Sequence, residues 1–261
     1  MKSAVSKIVA SVVFIIMLSN LYAENKEIKW YNFNEAVSIA KKENKHILVD
    51  FYTDWCVWCK KLESEVYSKP EIIKFMNDNF VAVKLNPEKA GEIDYKGDKY
   101  SQGDFAQAAG VTGYPATGFF SPESDYLQIV PGFLPADQFM SLLKYFQEQR
   151  YYSLGFQDYV IFDKFRSLLK DNPEDAEINF VVGYFEQKVL KNNSKAIGYY
   201  KKAIKDQISS AYAGLSEIAA ENNNNDGSKK WMDKAKSSGY VDENTTKNKI
   251  IEIVQKYMKN G

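Results

Sequence analysis

An α/β unit followed by an all-α unit is the fold class this sequence predicts, on three observations. Strand-like apolar runs alternate with helical periodicity from residue 24 to about residue 150. Beyond Tyr151 the strand signal stops and helical segments follow one another. The only two cysteines, Cys56 and Cys59, stand two residues apart where a strand-like run gives way to a helical one. A length of 261 residues accommodates two folded units. The expected division is residues 1–23 as a signal peptide, 24–150 as the α/β unit and 151–261 as the helical unit.

The N-terminus reads as an export signal. Lys2 and Lys7 supply a positive start, and Ile8 to Leu18 form an apolar run broken only by Ser11. Ser19 to Ala23 then offer a cleavage site after Ala23, with Leu21 as the bulky exception. The run falls short of the roughly 20 residues a membrane span needs. The expected location is therefore exported, in a periplasm, with an uncleaved anchor as the alternative. Lys+Arg and Asp+Glu balance at 34 each, which leaves no basic footprint for nucleic acid, so no nucleic-acid partner is expected. Hydrophobic content of 45%, with 15% aromatics, supports packed cores and excludes a mainly disordered chain.

The α/β unit should open with a helix on "FNEAVSIAKKENK", where Phe33, Ala36, Val37 and Ala40 share a face and Asn32 or Asn34 can cap. "HILVDFY" follows as a strand covered on both faces. "CKKLESEVYSKPEIIKFMNDNF" predicts a helix interrupted near Pro70, because proline removes a backbone donor. "FVAVKL" is a second strand. Residues 86–103 are expected to be a long loop, able to widen or lid a binding site, followed by a short helix at 104–109. "ATGFF" and "YLQIV" pair through a turn at 121–124. "PADQFMSLLKYFQEQ" closes the unit as an amphipathic helix with Phe139, Leu142, Leu143 and Phe146 on one face.

In the second half, "EINFVVGYFEQKVL" and "SKAIGYYKKAIKD" form one helical pair, and "SSAYAGLSEIAAEN" and "SKKWMDKAKSSG" another. Gly183 and Gly214 are 31 residues apart, and Ala203 and Ala235 are 32 apart. That approaches the tetratricopeptide period of about 34, with small residues where paired helices must come close. Ala196, Tyr200 and Ala203 resemble the small-aromatic-small pattern of that repeat's second helix. An ordinary helical appendage is the alternative. "NNNND" is read as an interhelical loop, and "KNKIIEIVQKYMKN" as a helix that caps the stack. Tyr184, Tyr199, Tyr200 and Tyr212 cluster where a protein-docking face would form.

"DFYTDWCVWCKK" admits three readings. A structural staple is disfavoured because a loop this short constrains the unfolded chain little. Structural zinc typically needs about four ligands, and the chain's only histidine, His46, reads as a polar loop residue. No resident metal is expected, although a metal shared between two chains stays open. The third reading is a working redox centre. A helix starting near Cys56 would hold its thiolate with unsatisfied amides, and Cys59, one turn on, could resolve a mixed disulfide. Asp50, inside an apolar strand, should be buried with a raised pKa, fit to accept the proton of Cys59. Asp54 is expected to cap the helix, and Trp58 to lie exposed at the contact surface.

Together with "VKLN" at 83–86, "VTGYPATGFF" at 111–120 and "VPGF" at 130–133, the segment "ILVDFYTDWCVWCKKLE" resembles the thioredoxins. Within them it is most similar to the C-terminal thioredoxin-like domain of the thiol:disulfide interchange (DsbD) family, over residues 28–150. The resemblance implies a thioredoxin fold with Cys56 attacking and Cys59 resolving. It implies that Pro115 is cis beside the dithiol and that Tyr114 and Trp55 touch substrate. Asp50 would be the buried acid and Lys84 the lysine near it. Val57-Trp58 replaces the usual dipeptide between the cysteines, and no histidine stands there.

The sequence thus predicts an exported thiol–disulfide oxidoreductase that reduces, or relays electrons to, cysteine pairs of other exported proteins. A separate membrane electron donor is implied, and no cofactor beyond the Cys56–Cys59 disulfide. The alternatives are a helical scaffold with a vestigial dithiol, or an oxidase or isomerase using the same chemistry.

Overall fold

The structure is a computed structural model and describes residues 27–258. The expected signal peptide, with Lys2, Lys7 and Ala23, lies outside the described residues. Tertiary contacts divide the chain into two compact units, the first ending at Gln147 and the second beginning at Glu148.

In the first unit, β1 (Trp30–Tyr31) leads through Asn32 into α1 (Phe33–Glu43), where the Asn32 side chain accepts the Glu35 amide. Then come β2 (His46–Phe51), α2 (Val57–Leu62) and a π turn over Glu63–Tyr67. Pro70 opens α3 (Pro70–Asn79) at the position where its missing N–H is harmless. There follow β3 (Phe80–Leu85), β4 (Glu92–Tyr95), β5 (Asp98–Ser101), α4 (Gln102–Ala108), β6 (Ala116–Phe120), β7 (Tyr126–Pro131) and α5 (Ala136–Gln147). The main sheet has the order β1-β3-β2-β6-β7, with β1, β3 and β2 parallel and β6 and β7 antiparallel. Central β2 is buried along its whole length, as its continuous apolar run requires.

Side chains alternate along β2, so its two faces do different work. Ile47, Val49 and Phe51 join Phe33, Phe105 and Phe120 in the core beneath α1 and α4. Leu48 and Asp50 face the other way, where Tyr67 meets Phe139 edge-on at 5.5 Å and Phe119 stacks on Phe146 at 3.7 Å.

Three local expectations are corrected. Residues 86–103 are not a long loop, because β4 and β5 pair as a hairpin through Lys96-Gly97, both at positive φ. Ile93 and Tyr95 carry the hairpin into the α1-side core, where the Tyr95 ring sits 6.0 Å from that of Phe33. The alternation Ile93, Tyr95, Tyr100 around a Lys-Gly turn was the available signal. His46 is no loop residue. It is the first residue of β2, buried, with its ring 6.3 Å from Phe80 and its pKa lowered chiefly by burial. Asp54 does not cap α2. The cap is the Cys56 sulfur, and Asp54 pairs with Lys89 at 3.2 Å.

The second unit holds α6 (Phe156–Asp171), α7 (Ala176–Tyr184) continued by a π turn (Phe185–Val189), and α8 (Asn193–Ala203). It continues with α9 (Ser209–Glu221), α10 (Asn225–Ser237) and α11 (Glu243–Met258). The interhelical loop read at 222–226 is shorter than expected, because Asn224 already caps α10 by accepting the Gly227 amide. The spacing of Gly183 and Gly214 has a packing cause. Both sit against opposite edges of the buried Tyr200 ring, whose hydroxyl donates to Gln187 Oε1 at 2.8 Å. In α11, Ile253 is buried, and Lys256 and Tyr257 bind Glu177 and Asp175 at 2.6 and 2.9 Å.

A Cβ on Gly214 would fall 2.4 Å from Tyr200 Cε2, whereas one on Gly198 would meet nothing within 4 Å. Overpacking costs about 1–3 kcal/mol, more than the ~1 kcal/mol a helical Gly→Ala change returns. Gly214→Ala should therefore lower the urea unfolding midpoint, and Gly198→Ala should leave it unchanged or raise it. Equal midpoints for the two variants would show that Tyr200 is not held between the glycines.

Candidate active site

The dithiol stands at the end of β2, where the chain turns into α2. Cys56 is the N-cap of α2, and its sulfur accepts the Cys59 amide at 3.0 Å. That amide is one of the donors a helix start leaves unsatisfied, and it would stabilise a thiolate in the same place. Cys56 and Cys59 form a disulfide with an S–S distance of 2.12 Å. Both sulfurs are largely covered, yet Trp55, Val57 and Trp58 around them are 65%, 74% and 53% exposed. Apolar surface of this kind, left open beside a dithiol, suits contact with another protein.

Neighbouring segments fix the two tryptophans. The Trp55 indole donates to both carboxylate oxygens of Glu88, at 2.9 and 3.1 Å, and lies edge-on to Tyr114 at 6.1 Å. Trp58 packs on Phe133 at 5.6 Å, with the Lys61 ammonium 4.9 Å from its ring. The Tyr114-Pro115 bond is cis, and the Pro115 carbonyl accepts the Gly132 amide at 2.8 Å. Trp55, Trp58, Tyr114 and Pro115, named from the sequence as substrate-contacting, thus lie in segments tied to one another around the dithiol.

Asp50 lies on the β2 face that looks toward Tyr67, with Lys84 of β3 and Thr117 of β6 as its cross-strand neighbours. It is 3% exposed, and burial pushes its carboxyl up to about 7. The Lys84 charge and the Tyr67 hydroxyl oppose that shift, and Glu63 adds to it. Lys84 is neither a free surface lysine nor fully buried. Its ammonium binds Glu63 Oε1 at 2.9 Å and lies over the Trp30 and Tyr52 rings at 5.5 and 5.1 Å. A carboxyl that titrates near neutrality can take and return a proton at ordinary pH.

The sequence reading missed Glu63, Tyr67, Glu88 and Phe133. Glu63 had a signal, four residues after Cys59 on the same helix. Tyr67 had none, because the π turn that aims it changes the helical period. Among the described residues no three His, Cys, Asp or Glu side chains gather where they could hold a metal ion.

A dithiol at a helix cap, a buried acid in the strand that leads to it, and a cis-proline turn tied to its tryptophans are the equipment of thiol–disulfide exchange, presented here on a thioredoxin fold. Residues 33–147 match the family model described as a thioredoxin-like domain, and the first unit is such a domain, followed by a helical region. The chain is 32% identical over 100 residues to an uncharacterized protein of Caenorhabditis elegans, covering 38% of this chain and 13% of that one. It is 26% identical over 89 residues to the thiol:disulfide interchange protein DsbD 2 of Pseudomonas aeruginosa, covering 34% and 14%. A thioredoxin-fold protein from Helicobacter pylori superposes with a TM-score of 0.42 at 19% identity, over 45% of this chain and 83% of that one. The chain thus spans 13% and 14% of the length of the two curated relatives.

Proposed function

We propose that this protein is an exported thiol–disulfide oxidoreductase working in the reducing direction, delivering electrons through Cys56 and Cys59 to cysteine pairs of other exported proteins. The observation that carries the direction is what surrounds the dithiol. Val57-Trp58 places no imidazolium between the cysteines, and the buried Asp50, in the strand that leads to them, is a carboxyl whose surroundings disfavour negative charge. A dithiol is strongly oxidising when its reduced, thiolate form is stabilised, and neither feature does that. The exposed rim of Trp55, Val57 and Trp58 is suited to a protein substrate.

Export is supported by the signal-like residues 1–23, and no helix among the described residues is long and apolar enough to cross a membrane. Electrons would come from a membrane donor that re-reduces the Cys56–Cys59 disulfide, with no further cofactor in the cycle. In the helical unit, a tetratricopeptide-like stack would dock the proteins to be reduced. Tyr184, Tyr199 and Tyr212 are half-buried there, while Tyr200 belongs to the core.

The reduction potential tests the proposal. It should fall nearer the thioredoxin value of about −270 mV than the DsbA value of about −120 mV, with insulin disulfides reduced at an accompanying rate. A potential at the oxidising end would make the protein an oxidase or isomerase. A chain that leaves insulin untouched would be a scaffold.

A further inference from the structure

Asp50 is buried on every side, so a proton it takes from Cys59 needs a way out. The dithiol face is the wrong exit. Trp55, Val57 and Trp58 make it the surface a substrate covers, and the proton leaves Cys59 while the mixed disulfide is in place. A different opening lies on the Tyr67 and Lys84 side of Asp50, a cleft of about 460 Å³ whose lining includes Trp30, Glu63, Tyr67, Ser68, Ile73 and Lys84. Asp50 does not line it, but its neighbours Lys84 and Tyr67 do.

Tyr67 is the better link of the two. The Lys84 ammonium is engaged with Glu63. The Tyr67 hydroxyl and Asp50 Oδ1 are both buried, and neither closes a hydrogen bond of good geometry. The two groups nevertheless perturb each other's titration, so they are close enough to interact. A buried hydroxyl that meets Asp50 and Thr117 without a well-formed hydrogen bond calls for a reason. Packing gives none, because the ring is already held edge-on by Trp30 at 5.4 Å and Phe139 at 5.5 Å, contacts a phenylalanine would make as well. The hydroxyl is delivered by the π turn Glu63–Tyr67, a rare element that occurs disproportionately at functional sites.

We propose that Tyr67 is a positioning residue whose hydroxyl orients the Asp50 carboxyl and connects it to the Glu63–Lys84 cleft, the route by which the Cys59 proton reaches solvent while substrate covers the dithiol. This rests on the reading that Cys56 and Cys59 turn over. In the resolving step the Cys59 S–H proton passes to Asp50. The Cys59 sulfur attacks the Cys56 sulfur, the Cys56–substrate S–S bond breaks, and the substrate leaves as a thiolate. The protein dithiol is oxidised, the substrate disulfide is reduced, and Asp50 passes its proton through the Tyr67 hydroxyl to the cleft. The titratable and charged groups acting on Asp50 are Lys84 from β3 and Glu63 and Tyr67 from the π turn.

The test uses the full chain loaded at Cys56 with thionitrobenzoate, whose release reports the Cys59 attack, followed from pH 5 to 9. Tyr67→Phe keeps the ring and removes the hydroxyl, which favours the charged carboxylate. Its rate profile should move to higher pH by half a unit to one unit, slowing release at pH 7 about two- to fivefold. In an Asp50→Asn background the same substitution should change nothing further. Ser68→Trp, on the exposed rim of the cleft, should slow release at an unmoved midpoint. A Tyr67→Phe profile that superimposes on the wild type, or a slowing that adds fully to Asp50→Asn, overturns the Tyr67 assignment. Unslowed release in Ser68→Trp overturns the cleft route. Absence of Cys59-dependent release in the wild type overturns both this proposal and the turnover on which it rests.

Discussion

Asp50→Asn is expected to make the oxidised protein more stable above neutral pH, by on the order of 4 kcal/mol. The folded carboxyl titrates at about 7 against an ordinary value of 3.8, with burial as the main cause. Because the folded value is the higher one, the folded state holds the proton more tightly than the unfolded chain does. Below pH 3.8 the group is protonated in both states and its contribution to stability is fully present. That contribution drains away as pH rises to about 7, where the folded state must carry a buried charge. Asparagine has no proton to lose. The difference in urea unfolding free energy between variant and wild type should therefore be small at pH 4, grow through pH 5 and 6, and level off above pH 7. Taking the difference cancels other groups such as His46. A difference that stays flat from pH 4 to 8 would mean that Asp50 is not an uncompensated buried acid. The expected growth with pH would make the acid a costly residue for the fold, kept for its proton chemistry.

Cys59→Ser should convert the protein into a trap. Cys56 can still attack a substrate disulfide, but nothing resolves the product, so partner proteins should accumulate as mixed disulfides on non-reducing gels. Cys56→Ser should trap nothing. The asymmetry follows from the geometry, since Cys56 occupies the cap position and accepts the Cys59 amide, while Cys59 lies one turn inside the helix. Equal trapping by both single mutants would reverse the assigned order. The same trap also probes the helical unit. If that unit docks substrates, tethering raises their effective concentration at the dithiol. Replacing Tyr184, Tyr199 and Tyr212 together by alanine in the Cys59→Ser chain should then reduce capture of native partners while leaving insulin capture unchanged. Unaltered capture of native partners would make the helical unit a stabilising appendage.

Periodicity and punctuation determined most of the architecture from the sequence alone. The run Ile47–Phe51 had to be a covered strand, Pro70 had to interrupt the helical run that contains it, and Cys56-x-x-Cys59 had to straddle a helix start. Asp50 was legible because a single acid inside an apolar strand has few explanations. These are local facts, set by side-chain spacing, proline's missing donor and capping chemistry. The β4–β5 hairpin was misread because its polar composition hid the alternation that buries Ile93 and Tyr95. What only the tertiary structure decided is which distant groups meet. Glu88 pins Trp55 from 33 residues away, Lys84 reaches Glu63, and a π turn shifts the helical phase so that Tyr67 faces Asp50. The 31-residue spacing of Gly183 and Gly214 was visible in the sequence, but the Tyr200 ring they share was not. Spacing along a chain constrains the face a residue occupies. The partner it finds depends on how those faces are stacked, because burial and hydrogen bonding are settled between segments rather than within them.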